Sequence, residues 1–354
     1  MQEECKKHPW VHTVLRVFVL AVVLGVALQG PLTASAASSS VKTVVPLGRA
    51  VGIKLFSDGV MVVGLSEVST DTGSQAPARD CGLQEGDIIT HINSTEVDTV
   101  EEVQTILQDL EGEAMSIRAV RGEDQVQMTA HAVQCSSDGA YKLGAWIRDS
   151  MAGIGTLTFY DPDTHTFGAL GHGVSDVDTA QLMPLQSGSI MYATVSGVQK
   201  GAVGAPGQLQ GAFQVERDLG ELWANTAQGI FGTLSDGTLA EGKALEVAQR
   251  SQVQVGEAEI LSNIAGDQVE AYTVEITHVY PDTEGDDREL MLKVTDSRLL
   301  ETTGGIVQGM SGSPIIQNGR IVGAVTHVLV NDPTQGYGIL AQTMLEQAAQ
   351  SADT

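Results

Sequence analysis

Gly309-Met310-Ser311-Gly312-Ser313-Pro314 sets a serine among small residues and is followed by Ile315-Ile316, the polar stretch Gln317-Asn318-Gly319-Arg320, and the apolar run Ile321-Val322-Gly323-Ala324-Val325. Two short apolar runs on either side of such a turn predict a hairpin of buried strands, which would place Ser311 at the edge of a rigid β-scaffold. A serine hydroxyl is a poor nucleophile at neutral pH. Acyl transfer therefore needs a turn that presents the oxygen, with donors that meet the charge developing on a carbonyl. The flanking glycines permit a tight backbone, and the N–H groups of Gly309 and Ser311 are expected to converge as an oxyanion hole. Ser313 lacks a glycine on its far side and reads as a structural turn serine.

A base is then required. After the N-terminal segment the candidates are His91, His131, His165, His172, His278 and His327. His172 stands out in Phe167-Gly168-Ala169-Leu170-Gly171-His172-Gly173, where glycines allow an exposed imidazole to approach both serine and substrate. His165 and His278 sit in ordinary polar contexts, and His327 lies in an apolar strand that favours a satisfied core histidine. His91 and His131 fall in an earlier domain. The third member must be a carboxylate that orients the imidazole. Asp296 ends the alternating run Glu289 to Thr295, whereas Asp176 and Asp178 follow the histidine and Asp332 follows the serine strands. Spacing alone leaves these open.

Together, TGGIVQGMSGSPIIQNGRIVGAVTHVLVNDPTQGYG from Thr303 to Gly338 and ALGHG from Ala169 to Gly173 resemble the stage IV sporulation protein B peptidase family. That family joins a PDZ domain to a chymotrypsin-type peptidase domain. The resemblance implies His172 as catalytic base, Ser311 as nucleophile and Asp296 as the orienting carboxylate, in the chymotrypsin order. It also implies self-cleavage near the N-terminus, then cleavage of a membrane-associated regulator that activates a late sigma factor during endospore formation, in the space between forespore and mother-cell membranes. Met310 replaces the aspartate that many trypsin-like enzymes pair with a newly cut N-terminus, so that activation route is closed.

Lys6, Lys7 and Arg16 precede the apolar stretch Val17 to Leu28 and then Ala34-Ser35-Ala36, the layout of a secretory signal. Residues 1–36 are accordingly expected to be a signal peptide or, alternatively, a membrane anchor, with the bulk of the chain exported. Of three cysteines, Cys81 and Cys135 remain beyond that segment and could pair in an oxidising space. The net charge of −25 argues against nucleic acid and against a basic lipid-binding patch. No metal-ligand spacing is present, and no cofactor is expected.

Residues 41–135 are read as a PDZ domain. Cys81-Gly82-Leu83-Gln84-Glu85-Gly86-Asp87-Ile88-Ile89-Thr90-His91-Ile92-Asn93 resembles its core signature, and a helix capped by Asp98 and Glu101 carries Val100, Val103, Ile106, Leu107 and Leu110 on one face. PDZ domains take an extended peptide between a helix and a strand. The expected groove here uses Leu47, Gly48, Val51, Gly52 and Ile53, with Val103 of the helix. Residues 140–350 show short apolar runs broken by glycine, aspartate and proline, consistent with an all-β, double-barrel peptidase domain. The fold class expected is mainly β: an N-terminal helix, a PDZ domain, then the barrels. The partners are a protein substrate and the chain's own N-terminal segment, with the membrane engaged through that segment. Two other readings stand beside this one, a non-catalytic exported PDZ adaptor and a general envelope quality-control protease.

Overall fold

The computed structural model describes residues 41–235, 240–281 and 288–352; the expected signal or anchor segment lies outside them. The chain begins with one strand of 23 residues, β1 (Thr43–Leu65). Its last part enters a PDZ unit built from β2 (Ile88–Ile92), β3 (Ala114–Arg121), β4 (Asp124–His131) and the helices α1 (Pro77–Cys81) and α2 (Val100–Asp109). The chain leaves this unit through β5 (Ala145–Asp161), which pairs antiparallel with β1 along nearly its whole length.

β5 then continues into a barrel with β6 (Thr166–Ala169), β7 (Ser187–Gln199), β8 (Gln208–Thr226) and β9 (Gly229–Leu234), and β1 closes the ring between β5 and β7. A second closed barrel follows, made of β10 (Gly256–Ala265), β11 (Gln268–Val279), β12 (Leu290–Val294), β13 (Pro314–Gln317), β14 (Arg320–Leu329) and β15 (Asp332–Leu340). Helix α3 (Ser297–Thr303) connects β12 to the serine turn, and α4 (Ala341–Ala352) packs on the outside through Met344 and Ala348.

β1 corrects two expectations. Residues 46–53 do not form a ligand-binding loop. They are strand, and Leu47, Val51 and Ile53 are buried with Leu157, Phe167 and Ile190 in the first barrel's core. Gly52 lies against the Phe213 side chain and Gly48 against Leu261 of the second barrel. An apolar run buried on both faces carries no alternation to distinguish it from a loop followed by a strand. Val103 is likewise a core residue of the PDZ unit, packed among Leu107, Ile89 and Ile117, and not a groove residue. The boundary of the PDZ unit therefore departs from 41–135. Residues 43–56 serve the barrel, while Ala145 to Arg148 pair with Met61 to Leu65 on the PDZ side. The PDZ unit is inserted between the first two strands of the barrel.

Helix α2 forms where expected, one residue later in its cap. Thr99 Oγ1 accepts from the Glu102 N–H and Glu102 Oε2 accepts from the Thr99 N–H, a capping box that satisfies two orphan donors. Asp98 instead accepts from the Gly59 N–H at 3.0 Å. Cys81 and Cys135 are separate thiols.

The Gly86-Asp87 step owes its chemistry to one buried carboxylate. Asp87 is fully buried, accepts from Arg121 through both oxygens at 2.7 Å, and accepts from the Gln84 N–H at 2.9 Å. A bidentate guanidinium pair of this kind ties the turn before β2 to the end of β3. Asp87→Ala is expected to lower stability by about 2 kcal/mol, read from urea unfolding of the exported chain, and Arg121→Ala is expected to lose at least as much because it leaves the fully buried Asp87 carboxylate without its cation.

Candidate active site

The serine turn sits between α3 and β13. The hairpin after it forms as the sequence predicts, closed by Asn318 and Gly319 with φ of 51° and 75°, the two positive values that a two-residue turn between twisted strands requires. The turn is held from the other barrel by Thr156 of β5. The Thr156 N–H donates to the Ser311 carbonyl at 3.0 Å, and its hydroxyl donates to the Gly309 carbonyl at 2.7 Å. Gly312 adopts φ 96°, and a Cβ there would lie 2.0 Å from the Thr156 carbonyl oxygen, so only glycine lets the barrels approach this closely. Met310 is buried and anchors the turn to the second barrel's core. Ser313 is buried and donates to Ser262 Oγ at 3.1 Å, the structural role expected of it.

Held this way, the Gly309 and Ser311 N–H groups donate to no acceptor among the described residues, as an oxyanion hole requires. Ser311 Oγ donates to the Thr326 carbonyl at 2.6 Å. His172 lies in the same cleft, in a loop that follows β6 through Leu170, a non-glycine residue at φ 68°. Its Nδ1 is 2.8 Å from the Gly173 carbonyl. A carbonyl can only accept, so this contact assigns the proton to Nδ1 and leaves Nε2 as the basic nitrogen.

The loop beyond His172 is pinned by charge. Asp176 is buried, pairs with Arg148 of β5, and accepts from the N–H groups of Asp178 and Thr179; Asp178 pairs with Arg148 at 2.9 Å. Neither carboxylate lines the cleft. Asp332 closes a turn by accepting from Thr334 and Gln335.

The structure does not bring Asp296 to His172. Asp296 caps α3, and both its oxygens are engaged: Oδ1 by the Arg298 N–H, Oδ2 by Arg298 Nη2 at 2.9 Å and by the Thr273 N–H. Arg298 holds the carboxyl down at about 2, below the ordinary 3.8, with the Thr273 and Arg298 N–H groups adding to the effect against burial. In this arrangement Nδ1 of His172 is engaged by the Gly173 carbonyl. An aspartate at a strand end is equally suited to cap the next helix, and Ser297-Arg298 begins one.

His327 was expected in a core and is found in the cleft. It is exposed, follows Thr326 directly, and its ring lies 4.8 Å from that of His172, tilted by 36°. Ile321 to Thr326 are buried without alternation and the pairing of β14 with β15 shifts register between Val325 and Val328, so no periodic signal marked residue 327. His165 lies 2.7 Å from the Tyr160 hydroxyl, the His278 ring packs tilted against Tyr280 and His91 contacts Thr90, and none of the three lines the cleft.

The cleft measures about 720 Å³. Met151, Val174 and Leu182 line the side next to His172, and Ile306, Val307 and Val328 the side next to Ser311. Its only titratable lining residues among those described are His172 and His327, so it suits an extended peptide with apolar side chains.

Comparison with known proteins follows the same division. A PDZ domain model matches residues 68–121, and the SpoIVB peptidase S55 model matches residues 139–345. The zinc metalloprotease RasP of Shouchella clausii is 38% identical over 68 residues, 19% of this chain and 16% of RasP, so the chain spans about a sixth of that relative's length. Among solved structures, the PDZ domain of the SdrC-like protein from Listeria monocytogenes is 24% identical and covers 25% of this chain and 87% of its own, with a TM-score of 0.21. The Rv3671c protease from M. tuberculosis in its active form is 16% identical over 71% of this chain and 86% of its own, with a TM-score of 0.33. The HtrA-type protease AlgW with a decapeptide is 9% identical over 87% of this chain and 66% of its own, with a TM-score of 0.36. With its peptidase model spanning more than half of its length, the chain belongs to the SpoIVB peptidase S55 family and is a serine endopeptidase carrying a PDZ domain.

Proposed function

We propose that Ser311 is the nucleophile and His172 the general base of an exported signalling peptidase that cuts its own N-terminal segment and then a membrane-associated regulator, in the intercompartmental control of a late sigma factor during endospore formation. The observation that carries the chemical part is that Ser311, His172 and Gly309 line one apolar cleft, with the Gly309 and Ser311 N–H groups taking no acceptor among the described residues. The signalling role rests on the family. Its location, outside the cytoplasmic membrane and first anchored to it, rests on the apolar stretch Val17 to Leu28 and its basic flank.

For reaction, the Ser311 hydroxyl turns from the Thr326 carbonyl toward His172. Its oxygen attacks the scissile carbonyl as its proton passes to Nε2, and the oxyanion is met by the Gly309 and Ser311 N–H groups. His172 then delivers that proton to the leaving amine, and water repeats the sequence to release the acid. Asp296 completes a triad in this reading after exchanging Arg298 for His172. Two features support a resting arrangement: the serine hydroxyl is held by a carbonyl, and the carboxylate by an arginine.

Ser311→Ala and His172→Ala are each expected to lower kcat by about 10⁴-fold or more with unfolding curves unchanged, measured on a peptide substrate together with fluorophosphonate labelling of Ser311. Normal turnover by either pure variant, or no labelling of the wild type, would favour the PDZ adaptor. Asp296→Asn is expected to lower kcat at least about 10³-fold, whereas Arg298→Ala retains it; equal kcat for all three proteins would sink the proposed exchange. The depressed Asp296 carboxyl also sets a pH dependence. Its folded value lies below its unfolded one, so the stability it contributes is complete above about pH 5 and drains away as pH falls toward 2. Asp296→Asn should flatten that part of the stability curve.

A further inference from the structure

β5 passes beside the serine and then runs toward the PDZ unit with one edge open. Thr156 directs its N–H to the Ser311 carbonyl and its carbonyl to the Leu170 N–H, so both its backbone groups face away from β1. The register from Thr156↔Ala50 to Ser150↔Phe56 is unbroken. In an antiparallel ladder the outward groups recur at every second residue, so Ile154, Ala152 and Ser150 present theirs on the same side as Thr156. Among the described residues no strand pairs with that side, and Ala152 and Gly153 are exposed. Residues 151–154 line the cleft next to His172.

Direction follows from the chemistry. His172 donates a proton to the leaving amine, so the carboxyl-side product departs on the His172 side of the cleft, where β5 is the wall. A chain that starts at Ser311 and follows β5 from Ile154 to Ser150 runs antiparallel to it, toward Arg148 and the strand pairs of the PDZ unit.

We propose that the substrate segment on the carboxyl side of the scissile bond adds as an antiparallel strand to the open edge of β5 at Ile154, Ala152 and Ser150, which leads it toward the PDZ unit. The segment is an extended peptide of about six residues, since the edge from Thr156 to Ser150 spans about 20 Å. Met151, Val174 and Leu182 select apolar side chains on it. The proposal rests on Ser311 peptidase action.

The test uses the exported chain and a short peptide that it cleaves in a Ser311-dependent way. Adding six residues on the carboxyl side is expected to raise kcat/KM about tenfold or more, from two or three added backbone hydrogen bonds, while six on the amino side give less. N-methylation of alternate amides in the carboxyl-side extension should abolish the gain in one register and spare it in the other. Ala152→Pro, which removes an N–H that β1 does not use, should lower kcat/KM for the extended peptide by a larger factor than for the short one. Equal gain from both extensions, or indifference to both N-methylation registers, overturns the strand-addition proposal while leaving the peptidase intact. Absence of any Ser311-dependent cleavage overturns both.

Discussion

The contact of Thr156 with the serine turn is the constraint on which the rest of the molecule depends. Through its N–H and hydroxyl, one residue of the first barrel holds the carbonyls of Ser311 and Gly309 in the second. With those carbonyls fixed, the Gly309 and Ser311 N–H groups take no acceptor among the described residues. The close approach is possible only because residue 312 has no side chain. The conformation of the serine turn thus depends on the interface between the barrels, and neither barrel sets it alone.

Thr156 lies on β5, and β5 is also the strand by which the chain leaves the PDZ unit. Inserting that unit between the first two barrel strands, with both strands continuing through it, removes any flexible linker between recognition and catalysis. The loop bearing His172 adds a second tie, because Arg148 at the PDZ end of β5 pairs with Asp176 and Asp178 beyond the histidine. Thr179 of the same loop donates to the Met61 sulfur of β1 at 3.5 Å. The PDZ unit and the cleft are therefore joined through β1, β5 and the loop beyond His172.

Much of the site was legible because its requirements are local. A serine between glycines before a two-residue hairpin, and a histidine between glycines after a strand, are short-range patterns whose chemistry is written in adjacent residues. Helix α2 was legible for the same reason, with its cap displaced from Asp98 to Thr99 because the Asp98 carboxylate was drawn to Gly59, a partner 39 residues away. Where two local readings competed, the outcome lay elsewhere in the chain. Pro46 to Ile53 suited both a ligand-binding loop and a doubly buried strand, and packing between two barrels made it the strand. His327 suited a core position by its apolar neighbours, yet it is exposed in the cleft, where the pairing of β14 with β15 shifts register.

By itself the sequence determined the mainly β character, the serine turn ahead of a two-residue hairpin and the presence of a PDZ unit, since each follows from hydrophobic period or turn chemistry within a few residues. Only the tertiary structure decided that the PDZ unit interrupts the first barrel, that Asp296 serves Arg298 and the start of α3, and that a carbonyl holds His172. These outcomes depend on which groups separated by tens of residues come within hydrogen-bonding distance, and that is set by strand register and barrel closure, which no local pattern specifies.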